Sequence, residues 1–163
     1  MSIAFNPTEL ILHCSDTEDG PNLSWPAIKR FHKEVNGWTD IGYHFGIERY
    51  GDGYVLLPGR DPRLPGAHCR AARKNYTSLG LCVVGKYDLD SPSEELYTMV
   101  AKGAAWICMA HGIDPSAIAG HCEYEPAKTC PGRRFNVREV QERVMDYLNT
   151  ASDIGRHIVL NGG

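Results

Sequence analysis

The sequence has little that would carry a chain into or across a membrane. No apolar run approaches the roughly 18 residues that a membrane helix needs. The start, Met-Ser-Ile-Ala-Phe-Asn-Pro, has neither the basic stretch nor the apolar core of a secretory signal. These absences predict a chain made and folded in a cytoplasm and not inserted into a membrane. Charge of one sign is also scarce: the net charge is −3 with 23% charged residues, which implies no nucleic-acid partner. The 6 cysteines include no CxxC pair, and a cytoplasmic chain keeps such thiols reduced. If one of them binds a metal, the rest are odd in number and cannot all pair. Cys14, Cys69, Cys82, Cys108 and Cys122 are therefore expected to act as small hydrophobes. Repeats, low-complexity tracts and linkers are missing too, so 163 residues fit one domain with one core.

What is present is a set of short periodic segments. Glu9 to His13 is a buried strand. A first helix starts at a Ser24 cap, carries Trp25, Ile28, Phe31 and Val35 at helical spacing, and stops at Gly37. Tyr43 to Tyr50 and Tyr54 to Leu57 form a hairpin around Gly51-Asp52-Gly53, and Leu79 to Val84 is another strand. A second helix begins at Ser91-Pro92, with Glu94 completing a capping box. Its core stripe is Leu96, Val100, Ala104 and Ile107, and Gly112 ends it. Ala117 to His121 is a short strand. A third helix opens at an Asn136 cap with Glu139 three residues on, stapled by Phe135 against Val140; Val144 and Leu148 continue its stripe. After Asn149 the pattern fades, which predicts a domain over 1–150 and a loosely held tail over 151–163. Strands mixed with about three helices give an α/β class with a central sheet covered by helices.

Between Pro58 and Ser78 no period is convincing, and a loop that long in a compact domain is usually functional or mobile. It carries Arg60, Arg63, Arg70, Arg73 and Lys74 against one carboxylate, Asp61. These residues read either as a solvated basic loop or as a rim attracting an anionic substrate.

The segment from His121 to Gly132, His-Cys-Glu-Tyr-Glu-Pro-Ala-Lys-Thr-Cys-Pro-Gly, carries the most chemistry. A histidine ends a strand, and Cys130 follows where the loop can fold back on it. Zinc accepts imidazole nitrogen and thiolate sulfur, and three protein ligands leave a fourth position open. His13, ending the first strand, is the best third candidate. Spacing alone leaves these residues open between metal ligands and core histidines.

The chain resembles the T-odd phage lysozymes, which are N-acetylmuramoyl-L-alanine amidases sharing the fold of peptidoglycan recognition proteins. The resemblance runs over roughly residues 8 to 148. Its pieces are Leu12-His13-Cys14-Ser15, Phe31-His32-Lys33, Gly37 through Phe45, Gly59-Arg60-Asp61, Gly66-Ala67-His68, Asn75 through Gly80, and Lys128-Thr129-Cys130-Pro131-Gly132. It implies a mixed sheet flanked by helices with a zinc cleft on one face. It also implies Zn2+ on His13, His121 and Cys130, catalytic roles for Tyr43 and Lys128, and substrate contacts at His68 and Asn75. The implied reaction is hydrolysis of the amide between the muramoyl lactyl group and L-alanine. The substrate is then peptidoglycan or a muropeptide, the protein a monomeric endolysin of a phage or prophage, and its path to the wall release by a holin.

Those assignments are chemically coherent. Two neutral imidazoles and a thiolate leave a zinc site with a charge of about +1, enough to activate water. Lys128 offers positive charge to a developing oxyanion, and Tyr43 a hydrogen bond. Glu123 and Glu125 read as surface charges. His44 is expected to face away from Tyr43 in a structural role, with His32 structural, His111 complementing a helix C-terminus and His157 exposed. Two alternatives are a binding module without catalysis, which the presence of Cys130 disfavours, and a cytoplasmic amidase recycling muropeptides. A zinc peptidase is disfavoured because no HExxH helix exists.

Overall fold

The computed structural model describes residues 5–20 and 24–160. Residues 1–4 and the side chain of His157 lie outside the described residues. In chain order the elements are β1 (Glu9–Cys14), α1 (Trp25–Glu34), β2 (Phe45–Tyr50), β3 (Gly53–Pro58), β4 (Ser78–Val83), α2 (Glu94–His111), β5 (Ile118–Gly120) and α3 (Val137–Leu160). Short 3-10 segments cover Ala71–Tyr76, Pro115–Ala117 and His121–Glu123. Among the described residues, no helix is long and apolar enough to cross a membrane.

The five strands form one mixed sheet in the order β3-β2-β4-β1-β5. Strand β1 lies parallel to both β4 and β5, while β2 runs antiparallel to β3 and parallel to β4. Parallel strands covered on both faces read as unbroken apolar runs, and Leu-Ile-Leu in β1 and Leu-Gly-Leu in β4 do so. Alternation then sends Leu10, Leu12, Leu79, Leu81 and Val83 to one side. There they meet Val100, Ala104 and Ile107 of α2 and Val140 and Val144 of α3, all fully buried. The opposite face carries Cys82 with Trp25, Ile41 and Val84, beneath the shorter α1.

Helix α2 keeps the expected stripe and its Gly112 stop, where the backbone is left-handed at φ 65°. Its cap lies two residues later than the sequence predicts. Ser93 is extended and its side chain accepts from Leu96 N at 3.1 Å, so Pro92 precedes the cap. In α3, Asn136 caps as expected, with Oδ1 accepting from Glu139 N. The helix does not fade after Asn149 but continues through Leu160. No proline interrupts those residues, and a single interior Gly155 is tolerated in a helix.

Helix α1 differs most from expectation. Ser24 holds the cap position without capping through its own side chain. The cap is Glu48 of β2, fully buried, which accepts from the backbone N–H groups of Ser24 and Trp25. A carboxylate there satisfies two of the helix's unpaired donors and complements its dipole. The expected stripe holds at Trp25 and, partly buried against the same cluster, at Ile28, but fails beyond: Phe31 is 54% and Val35 67% exposed, while His32 points inward. His32 Nδ1 accepts from Gly42 N at 3.1 Å. Two polar anchors, Glu48 and His32, thus set the rotation of this helix in place of apolar periodicity.

Candidate metal centre

Strand register brings distant residues together. Leu12 of β1 pairs with Gly120 of β5, so His13 and His121 leave the carboxyl ends of adjacent parallel strands side by side. Their rings lie 4.6 Å apart between centroids. The carboxyl edge of an open α/β sheet is the usual place for a ligand crevice.

The segment after β5 returns Cys130 to the same point through a chain of turns. Tyr124 N and Glu125 N both donate to His121 O, Lys128 N donates to Glu125 O, and Cys122 N donates to Cys130 O at 2.8 Å. Glu123 anchors its start, Oε1 accepting from Gly120 N at 2.6 Å. Glu123 is exposed, as the sequence suggested, and also caps the strand end.

His13, His121 and Cys130 bring one ligand atom each within 4.8 Å of one another. Cys130 Sγ stands 3.6 Å from His13 Nδ1, against about 3.5 Å between sulfur and nitrogen on a tetrahedral zinc. His13 Nε2 faces His68 Nδ1 at 2.9 Å, and His121 Nε2 faces Glu125 Oε2 at 3.1 Å. His13 thus presents Nδ1 to Cys130 and Nε2 to His68, and with Nε2 of His121 taken by Glu125 its Nδ1 is left for the cluster, the pattern that orients metal-bound histidines. Burial is the main force holding the His13 imidazole well below its usual pKa, with His68 and His121 adding to it. His121 is lowered by burial and then by Lys128. Both shifts favour the neutral imidazole that ligation requires. The neighbouring Cys14 thiol and burial push Cys130 up, which a cation at the cluster would reverse. The Cys14 backbone N–H also donates to Cys130 Sγ at 3.3 Å. Donor types, spacing and outer partners fit zinc with one position left open.

The cluster forms the floor of a cleft of about 460 Å³ whose walls include Trp38, Tyr43, Ala67, Asp88, Lys128 and Thr129. Both expected catalytic residues are therefore at the cluster. The Tyr43 ring lies 5.1 Å from that of His13. Burial, then the nearby Cys82, Cys130 and Cys14 thiols, hold its phenol well above the usual range, so it remains a hydrogen-bond donor. Lys128 is half exposed, with Nζ 3.6 Å from Glu125 Oε2.

A second arm of the cleft is lined by Trp38, His68, Arg70, Asn75 and Lys128. His68 and Asn75 both reach it, yet much of their polarity is spent internally. Asn75 Oδ1 accepts from His68 N and Cys69 N. His68 is buried, with its ring held to a pKa of about 3 by burial first and then by His44. Gly80 makes room for it, since a β-carbon there would come within 2.6 Å of His68 Cγ. His44 is structural, as expected: Nε2 donates to Leu64 O and Nδ1 accepts from Gly80 N.

The basic loop divides in a way its composition does not show. Arg60 donates to the carbonyls of Ile41, Pro65 and Asp40. Lys74 pairs with Glu9 at 2.6 Å and sits over the Tyr124 ring. Arg63 pairs with Asp61, and Arg73 lies over Tyr76. Of the five, Arg70 alone lines the cleft arm. All 6 cysteines are free thiols, with Cys69, Cys82 and Cys108 buried and Cys14 and Cys122 partly so.

Two outer residues, Glu125 and His68, escaped the sequence reading in their present roles. For Glu125 a signal existed, because four residues after His121 on a helical turn is the same face.

A His-His-Cys set that could hold a metal, in a cleft shared with a lysine and a phenol, has the make-up of a hydrolase site. Residues 4–133 match the N-acetylmuramoyl-L-alanine amidase family. The chain is 31% identical to the endolysin of Escherichia phage T7, over 75% of this chain and 78% of that one. It is 34% identical to the endolysin of Enterobacteria phage K11, over 76% and 80%. Drosophila PGRP-LB, in a variant solved with tracheal cytotoxin, superposes with a TM-score of 0.68 at 27% identity, covering 82% of this chain and 80% of that one. The chain belongs to the N-acetylmuramoyl-L-alanine amidase family and is an amidase of the endolysin type.

Proposed function

We propose that the amidase is zinc-dependent, with the ion on His13, His121 and Cys130, and that it cuts the bond between the muramoyl lactyl group and L-alanine in peptidoglycan. The observation that carries this reading is the convergence of those three ligand atoms within 4.8 Å on the floor of a cleft shared with Tyr43 and Lys128. When bound, zinc supplies a Lewis acid that polarises the scissile carbonyl and activates water. The chain's own residues do the rest. Lys128 presents its ammonium to the carbonyl oxygen as negative charge develops there, which lowers the barrier because that charge is greatest in the transition state. Tyr43, kept protonated by burial, donates from Oη to the same tetrahedral centre.

Substrate recognition follows from the second arm. A stem peptide is rich in carboxylates, and Arg70 and Lys128 offer them positive charge. Trp38 gives a flat, partly exposed surface for an apolar sugar face or the alanine methyl. Asn75 can reach substrate through Nδ2, and His68 contributes through the wall it forms. The likeness to phage endolysins favours synthesis in the host cytoplasm and action on the wall, and release by a holin and action as a monomer complete the proposal. A purely binding role gains no support from a cleft that keeps Cys130, Tyr43 and Lys128 together.

The test is mass spectrometry of purified sacculi digested by the protein, by a chelated sample and by Cys130→Ala. Free stem peptides beginning with L-alanine are expected from the first alone, with activity returning to the chelated sample on zinc addition. Release of disaccharide fragments with peptides attached, or full activity in Cys130→Ala, sinks the proposal.

A further inference from the structure

The segment from His121 to Cys130 holds a carboxylate that the reaction as described does not use. Glu125 follows His121 by one helical turn, closed by the bond from Glu125 N to His121 O. Its Oε2 lies 3.1 Å from His121 Nε2 and 3.6 Å from Lys128 Nζ. One oxygen thus touches both a metal ligand and the cation that faces the substrate. Glu125 is itself outside the ligand cluster, which comprises His13, His121 and Cys130.

We propose that Glu125 is a positioning residue of the metal centre, fixing the tautomer and ring orientation of His121 and holding Lys128 beside it. The reasoning starts from the ring. A neutral imidazole carries one N–H, and a carboxylate at Nε2 accepts only if the proton is there. The lone pair is then on Nδ1, left for the cluster with His13 and Cys130. A negative partner also makes Nδ1 a stronger donor to a cation, as carboxylate–histidine pairs do at metal sites. The His121 side chain is 7% exposed, against 38% for Glu125 and 50% for Lys128. The bond to His121 is therefore the better shielded of the two, and the contact with Lys128 is screened by solvent. Orientation of the ligand is the main effect, and placement of the ammonium follows from sharing the same oxygen. No comparable group serves His13, whose Nε2 meets a neutral histidine. The two ligand histidines are thus held by different chemistry.

This inference rests on reading the cluster as a zinc site, and its test separates the two. Zinc dissociation constants are measured by competition with a chromophoric chelator for the full chain, E125A and E125Q. The visible spectrum of the cobalt-substituted proteins is recorded alongside. E125A is expected to weaken zinc binding by about 10- to 100-fold, the usual cost of losing an outer partner, and to shift the cobalt bands. E125Q is expected to restore most of the affinity, because its amide oxygen accepts from the same N–H without the charge. The thermal midpoint of metal-free protein should be the same in all three, since Glu125 is on a partly exposed loop. Tight binding by the unmodified chain with E125A within twofold of it overturns this inference alone. A loss in E125Q as large as in E125A overturns the hydrogen-bonding role. Failure of the unmodified chain to bind zinc overturns the metal-centre reading, and this inference with it.

Discussion

The two faces of the sheet are held by different physics. Under α2 and α3 the contacts are apolar and interchangeable in kind, with Leu10, Leu12, Leu81, Val100, Ile107, Val140 and Val144 wholly buried. On the cleft face a smaller apolar cluster around Trp25 and Ile41 is joined by buried polar groups that specific partners hold: Glu48 on the start of α1, His44 between Leu64 and Gly80, His68 against His13. Dispersion and burial spread stability over many residues of the first face. On the second, each bond is modest while made, but a buried group left without a partner costs more than the bond contributed. The helical face can be eroded gradually, whereas the cleft face is sensitive to single atoms.

The largest expected effect that sharpens this contrast is chemical. Lys128→Ala should keep its zinc and fold while losing kcat by roughly two to three orders of magnitude, the usual cost of removing one oxyanion-stabilising group. Steady-state kinetics on a soluble muropeptide, with metal analysis on the same sample, measures it. A variant with unchanged kcat and a raised KM would place Lys128 in substrate binding alone.

On the opposite face, Ile107→Ala should cost about 3 to 4 kcal/mol of folding free energy by opening a cavity. Its zinc affinity should stay near that of the parent as long as the chain is folded. Urea unfolding and chelator competition report the two quantities separately, and a coupled loss of metal would erase the distinction between the faces.

Acid should act through the cleft face. Burial is the main cause that lowers the His44 pKa from 6.5 to about 4, so between those values the unfolded chain binds a proton that the folded one does not. Stability is then full above pH 6.5 and falls as the pH drops toward 4, by about 3 kcal/mol from this ring. Denaturant titrations across that window, compared with His44→Gln, should show the steeper dependence in the parent. Equal slopes would remove His44 as a source.

The smallest effect separates two arginines of one loop. Arg70→Ala should raise KM a few-fold and flatten its dependence on salt, because Arg70 lines the cleft arm. Arg73→Ala, whose guanidinium lies over Tyr76, should change neither. Identical responses would return the whole loop to a generic basic rim.

Legibility in the sequence followed the same division. The helical face was readable because periodicity reports burial: the stripe of α2, the Gly112 stop and the Asn136 cap all stand where their residue types place them. The rotation of α1 was not, since Glu48 and Gly42, which bind Trp25 and His32, lie outside the helix and leave no local pattern. The basic loop misled for a similar reason. Charge counts cannot tell that Arg60 is spent on three carbonyls and Lys74 on Glu9. The convergence of His13, His121 and Cys130 was legible through resemblance, but its cause, the pairing of Leu12 with Gly120, is a matter of strand register that spacing does not encode. Glu125 was within reach of a helical-turn argument, which its Glu-Pro context concealed.

The central claim is that zinc belongs at the carboxyl ends of β1 and β5. An anomalous difference map at the zinc edge, from crystals of the protein grown with zinc, tests it most directly. One peak is expected, bonded to Nδ1 of His13, Nδ1 of His121 and Sγ of Cys130 at about 2.0 to 2.3 Å, with Glu125 on Nε2 of His121. A peak elsewhere, or one in which Glu125 replaces either histidine as a ligand, would contradict it.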